Sequence, residues 1–178
     1  MANTETSGQK RGMVTGMFRD RDSAELAYKS MSSRGYSDKD LNVAMSDETR
    51  KKYFADGSHT ELGNKATEGA GVGGAIGATV GAIAAAIAAV GTSLVIPGLG
   101  LVIAGPAVAA LAGAGAGGVT GGLIGALVGW GIPEERIKHY ESGIKSGGIV
   151  MGVTPRSDDD AEYLEREWKT HRGEHVYR

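Results

Sequence analysis

Hydrophobic and polar positions follow short regular periods up to residue 68. All charge then disappears from Gly69 through Pro133, and the short periods resume afterwards. Met13 to Phe18 is an apolar run, and after Arg-Asp-Arg-Asp the stretch Ser23 to Arg34 places Ala24, Ala27, Tyr28 and Met31 at i, i+3, i+4 and i+7. That spacing predicts a strand followed by an amphipathic helix. Asp22 with Glu25 three positions on reads as a capping box, and Gly35 as the helix stop. Leu41 to Ser46 alternates as a half-buried strand does. Residues 47–68 turn polar around a Tyr53-Phe54 pair and read as a linker with a helical turn.

Beyond the uncharged block, Pro133-Glu134-Glu135 forms a favourable first turn for a helix that carries Ile137, Tyr140 and Ile144 on one face, up to Gly147-Gly148. Ile149 to Thr154 predicts a strand. Ser157 and the acids Asp158 to Asp160 open a helix with Ala161, Leu164 and Trp168 on one face, which stops near Gly173. Glu174 to Tyr177 reads as a last short strand. The expected fold is α+β, a ferredoxin-like split βαβ sandwich whose antiparallel sheet carries helices on one face. Its halves are residues 13–46 and 132–178, residues 1–12 form a disordered polar tail, and residues 69–131 form an insertion.

Within the insertion, the order of small residues says more than their number. Between Gly69 and Gly131 stand 19 Gly and 17 Ala, with Gly69, Gly73, Gly77 and Gly81 spaced by four. A second ladder runs Gly105, Ala109, Gly113, Gly117, Gly121, Gly125 and Gly129. Four-residue spacing aligns these positions along one helix surface. Glycine in a water-exposed helix costs about 1 kcal/mol relative to alanine, so the ladders require a closely packed neighbour. The expected arrangement is a glycine-zipper hairpin of two long hydrophobic helices, with Gly77, Gly81, Gly117, Gly121 and Gly125 in contact. Gly77→Leu or Gly121→Leu would then block backbone approach and break assembly. Ala70 to Gly91 and Gly105 to Trp130 would extend about 33 Å and about 39 Å as helices, against a bilayer core of about 30 Å. Their connection, Thr92 to Ala104, is an uncharged tip, and Trp130 is the expected anchor at the membrane interface.

Charge and composition narrow the function. The 19 basic and 21 acidic side chains give a net charge of −2, which excludes a polycation built to neutralise nucleic-acid phosphates. The absence of cysteine excludes disulfides, thiolate nucleophiles and thiolate-bound metals. The polar start MANTETSGQKRG lacks the apolar run of a secretory signal. Lys51, Lys52, Lys65, Arg136 and Lys138 lie outside the hydrophobic segments, so the positive-inside rule places both termini in the cytoplasm, with the hairpin in the inner membrane. A cytoplasmic assembly, in which hairpins of many protomers bury one another, is the alternative, and a pore is a further one. So large an apolar surface is incompatible with a lone soluble monomer.

Motifs that resemble chemistry find weak support. His171-Arg172-Gly173-Glu174-His175 matches the H-x-x-E-H string of a zinc peptidase class, but Gly173 falls where a metal-binding helix should continue. His59 and His139 lack partners at ligand spacing. Gly69-x-Gly71-x-x-Gly74 and Gly113-x-Gly115-x-x-Gly118 match the dinucleotide fingerprint as text, yet neither follows a strand, and in a segment this rich in Gly the match is expected from composition. Asp158 to Asp160 read as a helix cap and dipole partners. Lys51-Lys52 and Arg19-Arg21 are too sparse for a nucleic-acid face, although they can touch anionic lipid. No enzyme, cofactor, metal site or small-molecule ligand is expected.

Val14 to Phe18, Ala24 to Gly35, IPGLGLVIAGP (Ile96 to Pro106) and GALVGWGIPEERIKHYESGIKSGGIVMGV (Gly125 to Val153) together resemble the bacterial heat-induced general stress protein family. The similarity runs from residue 13 to about 175. Its specific part lies between Gly129 and Gly148, a ladder end followed by I-P-E-E and Y-E-x-G-x-x-x-G-G, with Trp130 where a smaller residue is more usual. The resemblance implies a stress association and a small α/β domain interrupted by a glycine-rich segment, and it offers no activity, cofactor or catalytic residue to carry over. The functional expectation is a non-enzymatic protein whose partner is itself, as a homo-oligomer, together with a lipid bilayer.

Overall fold

The computed structural model describes residues 12–54, 94–96, 100–106, 108 and 122–178. In chain order the elements are β1 (Val14–Phe18), α1 (Arg21–Ser33), β2 (Leu41–Ser46), α2 (Asp47–Phe54), β3 (Leu94–Ile96) and β4 (Leu101–Ala104). They continue with α3 (Gly122–Gly129), α4 (Glu134–Lys145), β5 (Ile149–Val153), α5 (Asp158–Thr170) and β6 (Glu174–Tyr177). The protein is α+β, and the six strands among the described residues form one sheet in the order β3-β4-β2-β5-β1-β6, every neighbouring pair antiparallel.

Strand alternation divides the core in two. Val14 and Phe18 of β1, Leu41, Val43 and Met45 of β2, and Ile149, Met151 and Val153 of β5 face one side, where Ala24, Ala27 and Met31 of α1 and Ala161, Leu164 and Trp168 of α5 cover them. Met17, Ala44, Ile103 and Val150 face the other side, beneath Leu127 of α3 and Ile137, Tyr140 and Ile144 of α4. Helices therefore lie on both faces of the sheet, where the sequence led to an expectation of one. The physical reason is visible in the strands, since β1, β2 and β5 are buried along both sides and a sheet so patterned needs two covers. A glycine on each face admits a tryptophan. A Cβ on Gly16 would stand 3.1 Å from the Trp168 ring, and one on Gly152 would stand 3.3 Å from the Trp130 ring.

Local signals set the element ends. The cap of α1 is Asp20, whose Oδ1 accepts from Ser23 N at 2.8 Å, two residues before the expected Asp22. Ser157 Oγ accepts from Asp160 N at 3.0 Å to open α5. Helix α2 begins directly after β2 and runs for eight residues where a polar linker was expected, with Ser46 Oγ accepting from Thr49 N at 3.0 Å as its cap.

The uncharged block departs most from expectation. Its tip forms a β-hairpin in which Leu94, Val95 and Ile96 pair with Ile103, Val102 and Leu101. Strand β4 in turn pairs along β2, from Val43↔Ala104 to Ser46↔Leu101. Gly105, the expected first step of the second ladder, stands directly before residues 106 and 108, which are helical, and its carbonyl accepts from Val108 N at 3.1 Å. It bends away from β4 at φ +123°, packed so tightly that a Cβ would stand 2.5 Å from the Leu41 carbonyl oxygen. Among the described residues, no helix is long and apolar enough to cross a membrane. Gly69, Gly73, Gly77, Gly81, Gly113, Gly117 and Gly121 lie outside the described residues, as does the expected span Ala70 to Gly91.

Candidate assembly face on the glycine-rich helix

Helix α3 carries the end of the second ladder, and the sequence around it explains its placement. Gly131, at φ +78°, lets the chain reverse after Trp130. Gly131 N donates to Val128 O at 2.8 Å, and Ile132 N donates to Leu127 O at 3.1 Å. This pairing satisfies the last carbonyls of the helix, and it turns the chain into α4, which packs against α3.

The two sides of α3 differ sharply. Ala126 and Leu127 are buried at 1% and 0% exposure within the second core cluster. On the solvent side, Ile124 and Val128 are 48% and 45% exposed, two of the three large hydrophobic side chains so placed among the described residues. Gly125 is half-buried and Gly129 exposed. One turn of helix thus presents two branched apolar side chains and a bare backbone, with no charged or hydrogen-bonding side chain on α3 itself.

Trp130, expected at a membrane interface, is 4% exposed and stacked over Gly152 in the second core cluster. Its indole lies against the sheet at Gly152. The indole Nε1 is buried and has no acceptor among the described residues.

The chemical motifs resolve into structural roles. His171 caps α5, Arg172 and Gly173 form the turn, and Glu174 and His175 lie on β6, so the H-x-x-E-H string is split between helix end and strand. His139 on α4 stacks on His175 at a centroid distance of 4.4 Å, a pairing that sequence spacing did not show. Among the described residues no group of three or more His, Asp or Glu is placed to hold a metal. Asp160 accepts from the Tyr36 hydroxyl at 2.8 Å and lies 3.3 Å from Arg34 Nη1, joining the start of α5 to the end of α1.

Buried Tyr140 donates its hydroxyl proton to the His175 carbonyl oxygen at 2.7 Å and shares a 2.8 Å hydrogen bond with Thr15 Oγ1. Burial pushes its phenol up to about 12. It holds the irregular stretch of β6, where His175 takes a positive φ of 49° and the pairing with β1 shifts register. At the opposite end of β1, the Arg19 guanidinium grips Glu174 through Nε and Nη2 at 2.7 and 2.8 Å, which holds that carboxyl below its ordinary range.

The glycine fingerprints lie outside the described residues. Sequence reasoning missed that Arg19, Lys52 and Lys145, from three separate segments, line one cleft at one end of the sheet. Their distances apart in the chain hide this, and only the strand order reveals it. Comparison of the chain with family models, with curated proteins and with solved structures finds no match.

Proposed function

We propose that this chain is a non-enzymatic, stress-associated protein that self-assembles, with an α+β platform carrying a glycine-rich insertion that packs against the insertions of other copies. The carrying observation is the solvent side of α3, where Ile124 and Val128 flank Gly125 and Gly129 while the opposite side is locked into the core. Small residues beside branched ones permit close helix approach. The platform is read as ferredoxin-like. The order β2-β5-β1-β6 and the two halves β1-α1-β2 and β5-α5-β6 support that reading. The stress association rests on the resemblance carried by Gly129 to Gly148.

A membrane setting is the second reading, favoured by the run from Gly69 through Pro133 without charge. In that setting the pairing of β4 with β2 argues for apolar segments that enter and leave on the side of the sheet, in place of a hairpin whose tip crosses the bilayer. Detergent-free fractionation, followed by sizing of the wild type and an Ile124→Gln/Val128→Gln variant, tests both readings. Large aqueous particles that shrink in the variant support packing among copies. Recovery with membranes, released only by detergent, supports the second reading. An aqueous monomer would overturn both.

A further inference from the structure

The strand order places three remote segments side by side. β5 lies between β2 and β1 and runs antiparallel to both, so the start of β5 meets the ends of β1 and β2. Arg19 follows β1, α2 follows β2, and Lys145 and Ser146 precede β5. Between them is an open cleft of about 460 Å³. Arg19, Lys52 and Lys145 line it against one carboxylate, Glu48, with the Thr49 and Ser146 hydroxyls and the Tyr53 ring completing the wall.

The cations keep donors to spare. The fork from Arg19 to Glu174 uses Nε and Nη2 and leaves Nη1. Lys145 spends one bond on Glu141 at 2.7 Å, and an ammonium has three donors. Lys52 lies 4.8 Å from the Tyr53 ring centroid and has no carboxylate partner among the described residues. The carbonyls at the end of α4, which would repel an anion, are occupied. Gly147 N donates to Ile144 O at 3.0 Å, Gly148 N to Gly143 O at 2.8 Å and Ser146 N to Ser142 O at 3.1 Å.

We propose that this cleft binds a phosphate-bearing anion, with Lys52 as its principal contact and Arg19 and Lys145 closing around it. Ammonium and guanidinium donors, hydroxyls and a ring face lining one cleft suit a phosphoryl group on a larger molecule, either a soluble phosphate or the phosphate of a lipid headgroup. The site is distinct from the α3 face and does not depend on assembly.

Equilibrium dialysis of the full chain with labelled inorganic phosphate and pyrophosphate, at fixed ionic strength, tests the soluble source. Flotation with phosphatidylglycerol-containing vesicles against phosphatidylcholine vesicles tests the lipid source. The expected result in at least one arm is saturable binding, or flotation that requires anionic lipid. Lys52→Glu should weaken it about tenfold or more, and the remote Lys169→Glu should leave it unchanged. Lys52 is exposed, so its substitution spares the core, and Lys145→Glu provides an independent second variant. No saturable binding in either arm, or equal loss with Lys169→Glu, would overturn the proposal. Particle size in the same samples reports separately on self-assembly.

Discussion

Gly105 is held where no other residue fits. Its φ of +123° lies in a region open to glycine, and an added Cβ would approach Asn42 Cα to 2.7 Å as well as the Leu41 carbonyl. Both neighbours are backbone of a central strand and cannot yield locally. Gly105→Ala should therefore cost roughly 2–3 kcal/mol, read as a lower denaturation midpoint at unchanged slope. An unaltered midpoint would show that β4 does not enter β2's ladder this way. Arg172 presents the opposite case. It occupies the position after α5 that Gly35, Gly131 and Gly147 occupy after α1, α3 and α4. Arg172 N donates to Lys169 O at 3.2 Å and Gly173 N to Trp168 O at 2.7 Å, at φ +62°. A left-handed arginine is strained, and this one is exposed, so Arg172→Gly should stabilise the protein by about 1 kcal/mol, seen as a raised midpoint. A lower midpoint would mean that the arginine side chain contributes more than its backbone costs.

Among the elements, the β3–β4 hairpin is the most informative, and the absence of cysteine makes it directly testable. Asp47 N donates to Gly100 O at 2.6 Å, which makes the adjacent pair Ser46↔Leu101 a non-hydrogen-bonded one with close side chains. Ser46→Cys with Leu101→Cys should form an intramolecular disulfide under mild oxidation, detected as a mobility shift reversed by reductant. Failure to cross-link would place β4 away from β2. The elements with a clear period were legible in the sequence: β1, β2, β5, β6 and the inward faces of α1, α4 and α5 lie where the pattern put them. The hairpin was not, because LVI and LVIA flanking PGLG merge with the surrounding apolar run and share its lack of charge, although the Pro-Gly turn signal was present. The basic cleft was not legible either, since its cations belong to segments that only β5 draws together.

For the molecule as a whole, the ionisable groups bound a range of pH within which the fold is most stable. Arg19 holds Glu174 below its ordinary value, and Lys51 and Arg50 do the same for Asp47. Both carboxylates therefore contribute stability that is present above the unfolded values of 4.5 and 3.8 and is lost as acid titrates the folded forms. Tyr140 contributes in the other direction. Its phenol, raised from 10.0 to about 12 by burial, adds stability that is complete below pH 10 and disappears as pH rises toward 12. Thermal midpoints should be level between about pH 5 and pH 10 and fall on either side. Tyr140→Phe should lower the plateau, through the lost hydrogen bonds to His175 and Thr15, and flatten the alkaline fall. An alkaline limb unchanged in Tyr140→Phe would assign it to another group.

The pairing of β1 with β5 and β6 also has a consequence for the order in which the chain matures. Val14 to Phe18 finds its partners in Ile149 to Val153 and Glu174 to Tyr177, beyond the whole uncharged block. At roughly 5–20 residues per second, a ribosome exposes that block for on the order of ten seconds before the strand that closes the sheet emerges. Throughout that interval the most aggregation-prone part of the polypeptide has no finished platform to hold it. The nascent chain thus depends on whatever shields apolar segments during synthesis.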